Sequence, residues 1–174
     1  MTSPTIALIG YRGSGKTTIA QLLSRQLGWD WVDADVEIEL QAGKSIATIF
    51  AEAGETFFRD LEVAVVANLC QREKCVLALG GGAVLRAENR RCLADCQAII
   101  WLKASEETIF NRISADPTSS DRRPNLTNRG GRNEIQQLLA EREPIYASCA
   151  TLVVDTENKV PARIVEEIIS AMRG

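Results

Sequence analysis

The stretch that decides the fold is Gly10-Tyr11-Arg12-Gly13-Ser14-Gly15-Lys16-Thr17. It matches the pattern G-x-x-x-x-G-K-[ST], in which glycines let the backbone curl so that successive N–H groups point at an anion. A compact apolar run at residues 5–9 precedes the loop, and an amphipathic helical pattern at residues 16–27 follows it. A strand, a glycine-rich loop and a helix N-terminus in this order predict a site for the phosphates of ATP.

Two side chains of this loop have separate predicted tasks. Lys16 is placed to reach the β- and γ-phosphates, and the Thr17 hydroxyl is placed to hold Mg²⁺. The expected ATP-binding set in the loop and the first helical turn is Gly13, Ser14, Gly15, Lys16, Thr17 and Thr18. A dinucleotide-binding turn is the competing interpretation, but these glycines do not follow G-x-G-x-x-G and a lysine has no role there.

Outward from the loop, short apolar runs alternate with helical patterns. Further strands are predicted at residues 31–33, 75–79, 98–102 and 151–154. Residues 36–41 and 46–70 are also predicted to be helical, with interruptions near Gly43 and Gly54, and further helices are predicted at 87–95, 105–115, 134–146 and 160–172. This alternation predicts an α/β fold with three layers, α/β/α, in which helices cover both faces of a five-stranded parallel sheet. We expect residues 1–174 to form a single domain, with substrate-binding helices at about 34–61.

Residues 116–132 differ from the rest of the chain. They contain Pro, Ser, Asn and Gly, almost no apolar residue, and four arginines: Arg122, Arg123, Arg129 and Arg132. A long loop inside a compact domain is typical of a lid. We therefore predict a mobile lid over the phosphate loop.

Composition limits the classes of partner and the compartment. Twenty Lys and Arg against 23 Asp and Glu give a net charge of −3, which argues against nucleic acid as a partner. No apolar stretch has the length of a membrane span, and the N-terminus lacks the pattern of a signal peptide. Five cysteines without a CxxC pair favour a reducing compartment, and we expect a cytoplasmic protein.

Carboxylates for an acceptor site follow the second predicted strand, in Asp33-Ala34-Asp35. In an extended chain, residues two apart point to the same side, so both carboxylates would face the phosphate loop. One would help to hold Mg²⁺ through water, and the other would bind a substrate hydroxyl. The alternative is a turn with two solvated acids.

Two arginines are candidates to bind an anionic substrate. Arg59 flanks the inward stripe of its predicted helix, and Arg142 follows Ile135, Leu138 and Leu139 at +7, +4 and +3. Arg142 therefore lies on the apolar side of its helix, where a guanidinium needs an anionic partner. A solvated charge for Arg59 and a structural ion pair for Arg142 are the alternatives.

Three consecutive glycines, Gly80, Gly81 and Gly82, follow the third predicted strand. The carboxyl ends of parallel strands are where ligands bind in such sheets. Glycines there let a ligand approach the backbone closely, and a simple loop is the alternative.

Together these segments resemble the shikimate kinase family along the whole chain. The resemblance is carried by GYRGSGKT at 10–17, DAD at 33–35, GETFFRDLE at 54–62, LALGGG at 77–82, RRPN at 122–125 and EREPIY at 141–146. It implies a P-loop kinase that transfers a phosphoryl group from ATP to the 3-hydroxyl of shikimate. The products would be shikimate 3-phosphate and ADP, in the biosynthesis of chorismate and the aromatic amino acids.

The resemblance also implies roles for individual residues. Asp35 would bind and orient the hydroxyl, Arg59 and Arg142 would clamp the substrate carboxylate, and Gly80, Gly81 and Gly82 would contact the substrate. Asp33 would lie near Mg²⁺ and hold it through water, while Thr17 would ligate it. Lys16, Asp35 and Arg123 would form the catalytic set, with Arg123 closing over the phosphates.

The adenine would lie between Arg112 and the loop at 158–161, which contains Lys159. The implied ligands are ATP and shikimate, bound by a monomer with Mg²⁺. One departure concerns the lid, which usually reads R-P-L-L in the family and here reads Arg123-Pro124-Asn125-Leu126. The neighbouring Arg122 and Arg129 could compete with Arg123 for its role.

Two other functions remain open from the sequence. One is a kinase of the same architecture for another small acceptor, such as gluconate or a nucleoside monophosphate. The other is a nucleotide-binding module that has lost the reaction, although such a module would be expected to have lost part of the acceptor set.

Overall fold

A computed structural model describes residues 3–116 and 131–174 of the chain. Five strands form one sheet in the order β2-β3-β1-β4-β5, and every neighbouring pair is parallel. The strands are β1 Ser3–Ile9, β2 Asp30–Asp33, β3 Cys75–Ala78, β4 Cys96–Lys103 and β5 Leu152–Asp155. The five-stranded parallel sheet predicted from the sequence is confirmed.

Seven α-helices lie in the part of the chain that the structure describes. They are α1 Lys16–Leu27, α2 Ala34–Ala42, α3 Ile46–Leu69, α4 Ala87–Leu93, α5 Glu106–Ala115, α6 Gly131–Cys149 and α7 Pro161–Arg173. A short 3-10 turn, Ala83–Leu85, precedes α4. The predicted interruption near Gly54 is a kink inside α3, where Gly54 has φ 82° and ψ 175°.

The layers follow from the alternation of side chains along the central strand β1. Ile6 and Leu8 belong to the core with α1 and α7, while Ala7 and Ile9 belong to the core with α2, α3, α4 and α6. All four side chains are almost fully buried. A strand that is apolar on both faces requires helices on both sides, and this produces the three-layer α/β/α arrangement.

One boundary of the predicted lid is wrong. Residues 131–132, which we placed in the loop, form the start of α6, and Arg132 Nε lies 3.1 Å from a carboxylate oxygen of Glu106 on α5. The composition of the preceding segment masked the helix start. Residues 117–130, with the predicted lid residues Arg122, Arg123 and Arg129, lie outside the described residues.

Two further predictions concern membranes and thiols. Across residues 3–116 and 131–174, no helix combines the length and apolar character that crossing a bilayer requires. All five cysteines belong to the described residues, and all are free thiols.

Candidate functional site

The phosphate loop joins β1 to α1 at the carboxyl edge of the sheet, as the sequence predicts. Gly15 caps α1 at its N-terminus with φ 93°, a left-handed conformation that side chains disfavour. Lys16 is buried, and its Nζ donates to the carbonyl oxygens of Gly10 at 2.6 Å and Tyr11 at 2.9 Å. Loop carbonyls therefore hold the ammonium group in the curve of the loop, where an anion would also bind.

A cleft of about 270 Å³ opens beside this loop. It is lined by Arg12, Gly13, Gly15, Lys16, Thr17, Thr18, Asp33, Asp35, Ala78, Leu79, Gly80, Gly81 and Asp116. The lining brings together the loop, the end of β2 and the end of β3, which are far apart in the sequence. Of the residues predicted to bind phosphate, metal and hydroxyl, most therefore share one cleft.

The two carboxylates reach this cleft by a different route from the one we expected. The chain is not extended through Asp35, because α2 begins at Ala34 directly after β2. Asp33 is the N-cap of α2, and its Oδ1 accepts a hydrogen bond from the Asp35 backbone N–H at 2.9 Å. The extended geometry was wrong, yet Asp33 and Asp35 both line the cleft.

Oxygen atoms suited to Mg²⁺ lie next to each other at the start of α1. The Thr17 hydroxyl donates to Asp33 Oδ2 at 3.1 Å. Among the residues that the structure describes, no cluster of three or more His, Cys, Asp or Glu could hold a metal ion. Mg²⁺ commonly binds through one or two protein oxygens together with water and substrate phosphates, so Thr17 and Asp33 fit this ion.

Arg59 is buried rather than solvated, with a relative exposure of 4%. Its Nη1 donates to Oε1 of the buried Glu62 at 2.8 Å, and its Nη2 lies 3.4 Å from Glu55 Oε1. The guanidinium passes directly over Gly82, where an added Cβ would lie 2.3 Å from Nη2. The glycine therefore makes room for Arg59 at the end of β3.

Arg142 is also buried, with a relative exposure of 5%. Its guanidinium carbon lies 5.6 Å from the ring centre of Tyr11, and a Cβ on Gly81 would lie 3.4 Å from Nη1. Within residues 3–116 and 131–174, Arg142 forms no ion pair and its Nε has no hydrogen-bond partner. The two predicted arginines, from α3 and α6, therefore approach the same pair of glycines.

On the nucleotide side, α5 contacts the phosphate loop. Arg112 Nη1 donates to the carbonyl oxygen of Gly13 at 3.2 Å. Glu157 accepts from the backbone N–H of Ser105 and from the Thr108 hydroxyl, and these hydrogen bonds lower the pKa of Glu157. They fasten the loop after β5 to the start of α5, next to the predicted adenine region.

Lys159, in the same loop, is not part of the cleft lining. Its Nζ donates to Glu167 Oε2 at 2.9 Å on α7. Its role in ATP binding stays a prediction. Arg123, the remaining catalytic candidate, lies outside the described residues.

Sequence reasoning missed several residues that shape the site. Glu62 and the hydroxyl of Tyr146, which donates to the Gly81 carbonyl, lie within motifs that the sequence already singled out. The i,i+3 spacing of Arg59 and Glu62 on one helix was a usable signal. Arg12 and Glu134 form an ion pair across 3.5 Å, and no local pattern indicates this pairing.

Comparison with known proteins identifies relatives along almost the entire chain. The family model described as shikimate kinase matches residues 12–173. A shikimate kinase from Rhodopirellula baltica is 42% identical over 164 residues, which cover 94% of this chain and 88% of the relative. One from Moorella thermoacetica is 41% identical over 169 residues, covering 97% and 94%.

Solved structures of shikimate kinases are also similar to this chain. A shikimate kinase from Acinetobacter baumannii in complex with shikimate superposes with a TM-score of 0.91 at 32% identity, covering 99% of this chain and 94% of that one. A gluconokinase from Sinorhizobium meliloti has a TM-score of 0.63 at 18% identity, covering 99% and 94%. The second likeness shows the shared fold alone.

Proposed function

The chain belongs to the shikimate kinase family, and on that premise we propose that its cleft transfers the γ-phosphoryl group of ATP to the 3-hydroxyl of shikimate. The products are shikimate 3-phosphate and ADP, a step in aromatic amino-acid biosynthesis. One observation carries the substrate assignment: two buried arginines approach Gly81 and Gly82 at the edge of the cleft that contains Lys16 and Asp35.

The acceptor half of the site is assigned from burial and charge. Arg59 and Arg142 would bind the shikimate carboxylate, because buried guanidinium groups favour an anionic partner with matched geometry. An acceptor without a carboxylate would leave Arg142 without an anion, which is costly in a site shielded from water. Asp35 would accept a hydrogen bond from the 3-hydroxyl and orient its oxygen toward the γ-phosphorus. Gly80, Gly81 and Gly82 would let the ring approach the backbone.

The phosphate half is assigned from the loop. Phosphoryl transfer depends more on positioning and charge neutralisation than on covalent chemistry. Lys16 would bring its charge to the β- and γ-phosphates, and the N–H groups of Gly13, Ser14 and Gly15, with Thr17 and Thr18, would bind their oxygens. Arg112 and Lys159 would border the adenine. Arg123 is predicted to add positive charge at the transferring group and to exclude water.

Mg²⁺ would be held by the Thr17 hydroxyl and, through water, by Asp33. When bound, the ion supplies charge that offsets the developing charge on the phosphate oxygens. The hydrogen bond between Thr17 and Asp33 supports this assignment, because it places a neutral and an anionic oxygen side by side. The same carboxylate fixes Asp35 through its backbone N–H.

Residues 1–174 would act as one kinase domain, as a monomer with ATP and shikimate as its ligands. The cytoplasm is the proposed compartment. Five free thiols, three of them buried, support a reducing environment.

A panel of acceptors tests the proposed function. Purified protein is incubated with ATP, Mg²⁺ and either shikimate, gluconate or AMP at equal concentration, and ADP release is followed in a coupled assay. We expect turnover with shikimate at least about a hundredfold above that with the other two. Neither gluconate, an open-chain acid, nor AMP, which has no carboxylate, would place a carboxylate at the buried arginines and a hydroxyl at Asp35 at the same time. Activity restricted to gluconate or AMP would reject the assignment.

Gly82→Ala tests the packing that places Arg59. The added Cβ would lie 2.3 Å to 2.7 Å from the guanidinium atoms, so Arg59 must move. We expect a loss of about 1–3 kcal/mol in the free energy of unfolding and a KM for shikimate raised about tenfold. The control is Gly28→Ala: its φ of 68° predicts strain, but no atom lies within 4 Å of the new Cβ. A KM raised equally by both changes would contradict the packing role of Gly82.

A further inference from the structure

An ion pair joins the phosphate loop to α6 at the edge of the cleft. Arg12 Nη2 lies 3.5 Å from Glu134 Oε2, with side-chain exposures of 22% and 1%. Arg12 also lines the cleft. A carboxylate as buried as Glu134 is costly unless a cation compensates it, so the pairing constrains where the Arg12 guanidinium lies.

Two consecutive loop residues contact α6 at two charged positions. Tyr11 lies against Arg142, and Arg12 lies against Glu134, two turns earlier on the same helix. Burial raises the pKa of Tyr11 in spite of the neighbouring Arg12 and Arg142 cations, so the phenol stays neutral. The backbone N of Arg12 would lie 3.2 Å from a Cβ on Gly81. Arg12 is therefore at the junction of the phosphate loop and the glycine segment at residues 80–82.

The three arginines at the acceptor end of the cleft differ in their carboxylate partners. Arg59 pairs with the buried Glu62 and the half-exposed Glu55, and Arg12 pairs with the buried Glu134. In the described parts of the chain, Arg142 has no such carboxylate. An acceptor with one carboxylate then completes the balance at Arg142, whereas a second anionic group next to Arg12 meets a cation that Glu134 already compensates.

We propose that Arg12 and Glu134 form a specificity-determining ion pair, which sets the acceptor end of the cleft to the charge of a monoanion. This inference rests on the proposed function, because it takes the acceptor to be shikimate. Without the Glu134 carboxylate, the Arg12 cation faces the cleft unbalanced and binds anions of higher charge. The product shikimate 3-phosphate, which carries the carboxylate and a phosphate, then binds more tightly relative to shikimate.

The test is a double-mutant cycle on the Arg12–Glu134 ion pair, measured by equilibrium binding. Dissociation constants for shikimate and for shikimate 3-phosphate are measured by titration calorimetry on nucleotide-free wild-type protein, Glu134→Gln, Arg12→Met and the double variant. We expect the ratio of the product constant to the shikimate constant to fall about tenfold in Glu134→Gln and to rise severalfold in Arg12→Met. In the double variant, the ratio returns to within about threefold of wild type.

A purely structural role predicts a different result, because distortion of the contact would not shift the ratio in opposite directions in the two single variants. Arg12→Lys keeps the charge and should keep the ratio near wild type. Glu166→Gln, a change of the same net charge on the exposed face of α7, should leave the ratio unchanged. If Glu134→Gln does not fold, the expected rise of the ratio in Arg12→Met tests the proposal. An unchanged ratio in the folded single variants, or no restoration in the double variant, overturns the proposal.

One outcome separates this inference from the proposed function. If wild-type protein binds neither shikimate nor its phosphate, the acceptor assignment fails. The effect of the ion pair is then measured with inorganic sulfate as the ligand. Its dissociation constant should still fall about fivefold in Glu134→Gln. An unchanged sulfate constant in that variant overturns the ion-pair proposal independently.

Discussion

Asp35→Asn is expected to lower kcat for shikimate phosphorylation about a thousandfold, while the chain stays folded. The amide keeps the size of the side chain and removes the charge that would orient the hydroxyl and accept its proton. Losses of 10²–10⁴ are usual when a positioned acid–base group is removed. The backbone contact of residue 35 with Asp33 does not involve the replaced carboxylate, so α2 should keep its N-cap. Steady-state kinetics and circular dichroism on the purified variant measure both outcomes.

Asp30→Asn is the matched control for this change. Asp30 begins β2 at the opposite end of the strand, is exposed, and is not part of the cleft lining. It should retain kcat within about twofold, as surface substitutions usually do. Near-full activity in Asp35→Asn would show that the hydroxyl-binding assignment is wrong.

Arg142→Ala is expected to raise the KM for shikimate about a hundredfold and the KM for ATP at most about threefold. Removing one member of a buried charged pair costs about 2–5 kcal/mol, and each 1.4 kcal/mol corresponds to a factor of ten. Arg142 lies on the acceptor side of the cleft, against Tyr11 and Gly81. Initial rates with either substrate varied and the other saturating separate the two constants.

Arg142→Lys refines this prediction. The lysine keeps the charge but loses the planar pair of donors, so its KM for shikimate should lie between wild type and Arg142→Ala. Arg163→Ala, a change at an exposed arginine of α7, should change neither constant. Equal increases in both KM values for Arg142→Ala would contradict a role at the acceptor carboxylate.

The parts of the site that local patterns encode were predictable from the sequence. The loop at 10–17 carries its own signal, and the apolar stripe of α6 indicated that Arg142 points inward. Asp33 is a favourable N-cap residue, so the start of α2 at Ala34 could have been predicted from the same three residues. The prediction of an extended strand through Asp35 was wrong, although Asp33 and Asp35 both line the predicted cleft.

Contacts between distant segments were not predictable in this way. The approach of Arg59 to Gly82 and the pairing of Arg12 with Glu134 depend on how α3 and α6 pack against the sheet. The apolar pattern of a helix predicts which of its residues face inward, but not which residues of other elements they contact. The start of α6 at Gly131 was hidden by a polar sequence, because helix propensity is weak beside tertiary packing.

The most direct test of the central claim is the identity of the product in the shikimate arm of the acceptor panel. Phosphorus and proton NMR on the reaction mixture locate the new phosphate and count it against ADP. We predict ADP and shikimate 3-phosphate in equal amounts, with the phosphorus coupled to the ring proton at C3. ADP without phosphorylated shikimate, or a phosphate on another hydroxyl, would contradict it.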